Sequence, residues 1–170
     1  ARALVYAGLF TVPVATVPTL RSAMRITALA GLALGLFVAV VAVLVVARGE
    51  ELFLAGRLDD PVGYRNGTAA LFVMAFWPLL CVAASRGVLP AWRTAAFTCA
   101  QLALGLAFLT QSRGALLGFV AGFAVVLAAG PDRVRRAWLA LIAVGLLAIF
   151  SGALLEPYDA FVDDLPPGPA

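Results

Sequence analysis

The sequence predicts an all-α fold, a polytopic bundle of transmembrane helices with about five complete spans and a partial span at the N-terminus. Two observations indicate this class. Hydrophobic residues make up 64% of the 170-residue chain and charged residues only 12%, with a mean hydropathy of +1.04. Stretches with little or no charge, each long enough to cross a ~30 Å hydrocarbon core, recur at 26–47, 67–85, 94–111, 114–130 and 137–155.

All twelve basic residues are arginines, and seven of them fall on alternate connections between the predicted spans. Clusters of basic residues mark the cytoplasmic side of multi-pass proteins, so we expect these connections to be cytoplasmic. The seven are Arg21, Arg25, Arg86, Arg93, Arg133, Arg135 and Arg136. The intervening connections carry most of the acidic residues and are expected to face outward. Four arginines remain on that outer side, against the bias, and are the candidates for chemistry: Arg48, Arg57, Arg65 and Arg113.

The two ends of the chain indicate a fragment. Residues 3–20 form a weaker apolar stretch interrupted by Pro13 and Pro18, which we interpret as the tail of a helix. The chain begins inside this stretch without Met and ends on Pro-Pro-Gly-Pro-Ala after a run of acidic residues. We therefore expect one transmembrane domain over 1–155 and the start of an extracytoplasmic loop over 156–170.

Arg113 is the most informative residue, because the short segment around it interrupts a long apolar run. The interruption reads Thr110-Gln-Ser-Arg-Gly114. As a single helix, 94–130 would be about 55 Å long at ~1.5 Å per residue, well beyond the hydrocarbon core. The chain is therefore predicted to reverse at Ser112–Gly114. A cation there either binds an anion or anchors the turn at the membrane surface.

The outer connection that precedes the span at 67–85 has the features of an anion site. Gly63 permits a tight turn, and Asn66 is a suitable N-cap for the helix that follows. The amides at that helix N-terminus carry partial positive charge, to which the guanidinium groups of Arg57 and Arg65 add. This face is predicted to hold a lipid-linked phosphate.

Simpler interpretations exist for each of these residues. Arg48 is expected to extend to lipid headgroups, and Arg57 has Asp59 and Asp60 as neighbouring partners for an ion pair. For Asn66, the simpler interpretation is a plain N-cap of the helix that follows. Tyr64 is an aromatic residue of the kind that lies at membrane interfaces.

Several chemistries have no residues to support them. The chain has no His, no pair of Cys at ligand spacing and no Gly-rich phosphate loop after a strand, so no metal and no cofactor are predicted. The scattered interfacial arginines are not a nucleic-acid surface. Glycines with small-xxx-small spacing predict close helix packing instead: Gly31 with Gly35, and Gly118 with Gly122.

Two segments together resemble a known family. They are Arg57-Leu-x-x-Pro-x-Gly-Tyr-x-Asn66 before one span and Thr110-Gln-Ser-Arg-Gly-Ala-Leu-Leu117 one hairpin later. Their order, spacing and topology resemble those of the O-antigen ligase and polymerase-like membrane proteins. The resemblance extends from about residue 56 to the end of the chain. It implies a bacterial cytoplasmic-membrane glycosyltransferase with its active face outside the cytoplasm, which uses neither a metal nor a nucleotide sugar.

The resemblance implies a role for each candidate residue. Arg113 would be the catalytic residue that binds the departing diphosphate, and the substrate-binding residues would be Arg57, Tyr64, Arg65 and Asn66. The donor would be a glycan on a polyprenyl diphosphate, and the acceptor a glycan, lipid or protein. The resemblance implies a large outer loop, with a further Arg and a His, outside residues 1–170, so we expect this fragment alone to be inactive and the general base to lie outside it. Asp59 and Asp60 have the chemistry of a general base, but a pair of loop acids beside Arg57 is more often structural.

Two other classes of protein remain open. In a transporter or channel component, Arg113 would attract an anionic substrate. In a non-catalytic scaffold of the cell envelope, each outer arginine would be replaceable. The matched broken helices of many transporters are not visible in the sequence. Ligase and polymerase differ in the acceptor, which no residue here identifies.

Overall fold

The computed structural model describes residues 20–128 and 132–163, and this part of the chain is mostly helical. Its five helices are α1 (Leu20–Arg48), α2 (Arg65–Ala84), α3 (Pro90–Leu109), α4 (Arg113–Ala128) and α5 (Arg133–Asp163). A short 3-10 helix (Gly49–Leu52) and a hairpin of β1 (Phe53–Leu54) and β2 (Arg57–Leu58) connect α1 to α2. The predicted helical bundle is confirmed in outline, with one helix at each predicted stretch.

Four of the helices, α1, α2, α3 and α5, are long and apolar enough to cross a membrane. Helix α4 is equally apolar but has 16 residues, which correspond to about 24 Å. The chain therefore has the architecture of a multi-pass membrane protein, while the count of five complete spans stays a prediction. The partial span predicted at 3–20 lies outside the described residues.

The reversal before α4 and the end of α5 differ from the predicted boundaries. The chain reverses at residues 110–112, so Arg113 is the first residue of α4 and not part of the turn. Residues 156–163 continue α5 as a helix instead of starting a loop. In both cases the charged residues that guided the prediction mark where the apolar stretch ends, whereas backbone hydrogen bonding sets where the helix ends.

Helix α2 is the centre of the bundle. Within its apolar segment 61% of the residues are buried, against 11% for the apolar segment of α5. It packs most closely with α3, where its large side chains, including Phe72 and Phe76, meet the bundle core. Alanines at helical spacing form the buried stripe of α3: Ala96, Ala100, Ala103 and Ala107. Small residues on one helix and large ones on the other allow close approach.

Helix α4 packs against α2 and α5 and not along α3, its neighbour in sequence. Gly122 lies directly against the indole of Trp77, and a Cβ on Gly118 would be 3.8 Å from Val73 Cγ1. The indole is also 5.0 Å, between ring centroids, from Phe119. The predicted packing role of these two glycines is confirmed, and the pairing order shows that α2 and α4 run parallel.

Helix α1 packs on α2 and α3 through its own small residues, as predicted. A Cβ on Gly31 would be 3.5 Å from Val82, and one on Gly35 would be 3.5 Å from both Leu79 and the Cys99 sulfur. Cys99 and Cys81 are free thiols, each half-buried. The opposite face of α1 exposes large apolar side chains: Leu29, Leu32, Leu36, Val40, Val43 and Val46. A stripe of this kind suits a membrane lipid environment.

The helix order sorts charged residues to two ends of the bundle. The N-termini of α2 and α4 lie at what we call the candidate-site end, together with the hairpin. The opposite, arginine-rich end holds the seven arginines of the alternate connections. There, Arg93 Nε donates to the Ala83 carbonyl at 3.2 Å, and an Arg136 nitrogen donates to the Val126 carbonyl at 3.5 Å. These bonds satisfy carbonyls near the C-termini of α2 and α4.

Replacing Gly122 by Ala is expected to destabilise the bundle, because the new methyl group would overlap the Trp77 indole. Overpacking of this kind costs about 1–3 kcal/mol, so the midpoint of thermal unfolding in detergent should fall. The matched control is Gly145→Ala on α5, where an added Cβ meets no atom within 4 Å. That variant should be neutral or slightly more stable, and equal midpoints for both variants would contradict the packing.

Candidate functional site

A two-stranded hairpin begins the candidate-site end. Its strands pair antiparallel, Phe53 with Leu58 and Leu54 with Arg57, and Ala55 and Gly56 form the turn with φ of 52° and 68°. Left-handed conformations at both turn positions match the right-handed twist of short hairpins. Leu58 is completely buried and anchors β2 on α2 and α3. The hairpin therefore holds Arg57 half-buried at the edge of the bundle.

A buried threonine attaches the next loop to α2. The Thr68 hydroxyl donates to the Asp59 carbonyl at 2.6 Å and accepts a bond from the Val62 amide at 3.4 Å. The Gly63 amide also bonds the Asp59 carbonyl, at 3.2 Å, and Gly63 has a φ of +67°. The predicted tight turn at Gly63 is therefore confirmed. Thr68 fixes the loop that delivers Tyr64 and Arg65 to the start of α2.

Helix α2 begins two residues earlier than the sequence predicted. Tyr64 is the N-cap, with extended backbone angles and no side-chain cap bond, and Arg65 is the first helical residue. The interpretation of Asn66 as the cap is therefore wrong. The Asn66 side chain lies within the first turn of α2. The Thr68 amide, which an N-cap at Asn66 could accept from, bonds the Tyr64 carbonyl at 3.0 Å instead. The amides of the first turn lack helical acceptors.

The second loop, between α3 and α4, is held by Thr110 and Ser112. The buried Thr110 hydroxyl donates to the Ala107 carbonyl at 2.7 Å and accepts from the Ser112 amide at 3.3 Å. Gln111 turns the chain with a φ of 48°. Ser112 then caps α4, since its Oγ accepts from the Ala115 amide at 3.3 Å. The cap makes Arg113 the first residue of α4, where its side chain is exposed.

A chain of side-chain hydrogen bonds joins the two loops. The Ser112 hydroxyl donates to Asn66 Oδ1 at 2.8 Å, and Asn66 Nδ2 donates to the Tyr64 hydroxyl at 3.1 Å. These groups come from segments 46 residues apart in sequence. The contact brings the N-termini of α2 and α4 side by side, with Arg113 directly after the bonded serine. We call Tyr64, Asn66, Ser112 and Arg113 the site cluster.

The other predicted site residues lie at the same end but outside these hydrogen bonds. Arg65 is the half-buried first residue of α2, and Arg57 lies on β2. Their contact with Arg113, and the ion pair predicted between Arg57 and Asp59 or Asp60, stay predictions. Arg48 is exposed at the end of α1, which agrees with its simpler interpretation as an interfacial residue.

The role of Ser112 was not predicted, although the residue lies within the Thr110–Leu117 motif. The available signal was a serine that directly precedes a helical stretch, a typical N-cap. Its second bond, to Asn66, could not be inferred, because it depends on α4 packing beside α2. Thr68 was missed for a similar reason. A threonine inside an apolar helix gave no sign that it holds a loop nine residues earlier in the chain.

The site cluster is suited to an anion at the membrane surface. Two parallel helices start side by side, so the positive ends of both helix dipoles coincide. Arg113 and Arg65, the first residues of the two helices, add full positive charges. A guanidinium can make bidentate bonds to phosphate oxygens. Among the described residues, no three His, Cys, Asp or Glu side chains group in a way that would hold a metal ion.

Comparisons with known proteins do not assign a family. A scan of the sequence against protein-family models, a search of curated proteins and a search of solved structures each find no match.

Replacing Ser112 by Ala should remove both the cap of α4 and the bond to Asn66. Loss of a serine N-cap costs about 0.5–2 kcal/mol, so the unfolding midpoint in detergent should fall, while Ser112→Thr should retain most of the stability. The control is Ser151→Ala, which removes only a bond from Ser151 Oγ to the Ala148 carbonyl within α5. If both alanine variants unfold at the same temperature, the proposed contribution of Ser112 is contradicted.

Proposed function

We propose that this chain is part of a membrane glycosyltransferase of the O-antigen ligase and polymerase type. It would transfer a glycan from a polyprenyl diphosphate to an acceptor outside the cytoplasm of a bacterium. The observation that carries the proposal is the 2.8 Å bond between Ser112 and Asn66. It joins the two segments that carry the family resemblance, although nothing in their sequence separation requires them to meet.

The chemistry needs a group that stabilises the departing diphosphate. An acceptor hydroxyl or amine attacks the anomeric carbon, a new bond to that carbon forms, and the bond from the anomeric carbon to the diphosphate oxygen breaks. The acceptor proton passes to a base, and the negative charge stays on the polyprenyl diphosphate. Donors prearranged where this charge develops lower the barrier. Arg113 is assigned this role, since it is exposed at the paired helix N-termini.

The neighbouring residues are assigned to binding the donor. Asn66 and Tyr64 maintain the hydrogen-bonded wall beside Arg113, and Arg65 and Arg57 supply further positive charge at the same end. A lipid-linked substrate suits this position, because its isoprenoid chain can stay in the bilayer while its diphosphate lies at the surface. Asp59 acts through its backbone carbonyl, which bonds Thr68, so the loop shape explains this residue without a catalytic role.

The charge distribution supports an outward-facing site. The arginine-rich end carries seven arginines and, among the described residues, one acid, Asp132. The candidate-site end carries four arginines together with acids on the hairpin connection and on the end of α5. By the positive-inside rule, the arginine-rich end faces the cytoplasm. The proposed active face is then extracytoplasmic, where lipid-linked glycan donors of this family are used.

The decisive experiment measures release of polyprenyl diphosphate from a lipid-linked glycan by the full-length protein in liposomes. Arg113→Ala should lower turnover by about 10²-fold or more, the effect typical of removing one donor to a developing anion. Arg113→Lys should also lose activity, because an ammonium group keeps the charge but not the bidentate geometry. Membrane insertion is measured in parallel for each variant.

The matched control is Arg48→Ala, an exposed arginine at the same end that lies outside the site cluster. It should retain turnover near that of the wild type. Unchanged turnover in Arg113→Ala would make this arginine an interfacial anchor. A wild-type protein that inserts normally but releases no diphosphate would reject the glycosyltransferase assignment and favour transport of an anionic substrate.

A further inference from the structure

A groove lies at the arginine-rich end, far from the site cluster. It is open, with a volume of about 830 Å³, and it is lined by Arg86, Asp132, Arg133, Val134, Arg135 and Trp138. Three of these six side chains are cationic and one is anionic. The only acid, Asp132, lies 3.7 Å from Arg86 Nε, in an ion pair whose arginine side chain is 79% exposed. Such exposed pairs are weak, and three arginines against one acid give the groove a net positive charge.

A smaller apolar groove continues from the first along α5. It has a volume of about 220 Å³ and is lined by Arg133, Val134, Ala137, Trp138 and Leu141. Three residues, Arg133, Val134 and Trp138, belong to both grooves. The exposed fractions of Val134, Trp138 and Leu141 are 71%, 63% and 56%. The combined surface is thus cationic at the end of the bundle and apolar along the helix that enters the lipid.

The neighbouring arginines at this end have a different function. Arg93 and Arg136 bond backbone carbonyls of α2 and α4, so part of each guanidinium is used to complete a helix end. Neither residue lines the larger groove. The positive-inside rule alone explains arginines anywhere on this surface. It does not explain why three arginines line the larger groove. Nor does it explain why the exposed Trp138 and the smaller apolar groove lie directly beside them.

We propose that the two grooves together bind one anionic phospholipid. Arg86, Arg133 and Arg135 would hold the phosphate, and one acyl chain would lie along Val134, Trp138 and Leu141. Guanidinium groups bind phosphate oxygens with paired hydrogen bonds. Basic pockets between transmembrane helices are typical sites for anionic headgroups. Trp138, which lines both grooves, would lie where the headgroup and the acyl chain meet. This site is independent of the proposed glycosyltransferase activity.

The test uses the fluorescence of Trp138 in the full-length protein, with Trp77→Phe, Trp92→Phe and any further tryptophans also replaced by Phe. The protein is reconstituted in phosphatidylcholine liposomes that contain a small fraction of phosphatidylglycerol with brominated acyl chains, which quench a tryptophan in contact. Quenching should exceed that by brominated phosphatidylcholine at the same fraction. Arg133→Gln with Arg135→Gln should lower the apparent affinity by about fivefold per arginine.

The matched control is Arg93→Gln with Arg136→Gln, which removes the same charge from the same end, from two arginines that do not line the larger groove. It should keep the preference for phosphatidylglycerol, and Arg133→Lys with Arg135→Lys should keep most of it. Native mass spectrometry of the protein with its three original tryptophans counts the retained lipid independently. Equal losses in the two Gln pairs would reduce the effect to surface charge. Equal quenching by both lipids, or displacement by inorganic phosphate alone, would overturn the phospholipid site.

Discussion

The parallel contact between α2 and α4 is the interaction on which the candidate site depends. Gly122 lets the α4 backbone lie against the Trp77 indole, and Gly118 lies above Val73 one turn earlier. Ser112 meets Asn66 in nearly the same register. A helix that starts at this register has its first residue, Arg113, beside the first turn of α2. Gly118 and Gly122, in the middle of α4, thus determine where Arg113 lies at the start of this helix.

The bundle has two chemically different ends because its backbone groups are satisfied differently at each. At the arginine-rich end, arginine side chains bond the last carbonyls of α2 and α4. At the candidate-site end, a hydroxyl caps α4, and the free amides of two helix starts stay available. Cations thus complete helix ends on one side, whereas the other side offers both cations and amide donors to an anion.

Much of the fold could be predicted from the sequence. A helix that spans the bilayer must be apolar, nearly free of charge and long enough to cross the hydrocarbon core, and each of these properties can be read from the sequence. Gly118 and Gly122 were also recognisable, since small residues four apart have few other uses in an apolar helix. The meeting of Asn66 with Ser112 was not predictable. It depends on α4 packing beside α2 instead of α3, a contact between distant segments that no local pattern encodes. The prediction of Asn66 as the N-cap of α2 was also wrong. Tyr64 and Asn66 lie within one turn of each other, and the local sequence does not show which of them caps the helix.

The most direct test is a disulfide between residues 66 and 112 in native membranes. The full-length protein with Asn66→Cys and Ser112→Cys, and with its other cysteines, Cys81 and Cys99 included, changed to Ala, should crosslink on mild oxidation. Asn66→Cys with Arg86→Cys should not, because a 20-residue helix of about 30 Å separates these positions. Adding Gly122→Leu should sharply reduce the crosslink. An unaffected crosslink in that variant, or none in its parent, would contradict the link between helix packing and the site.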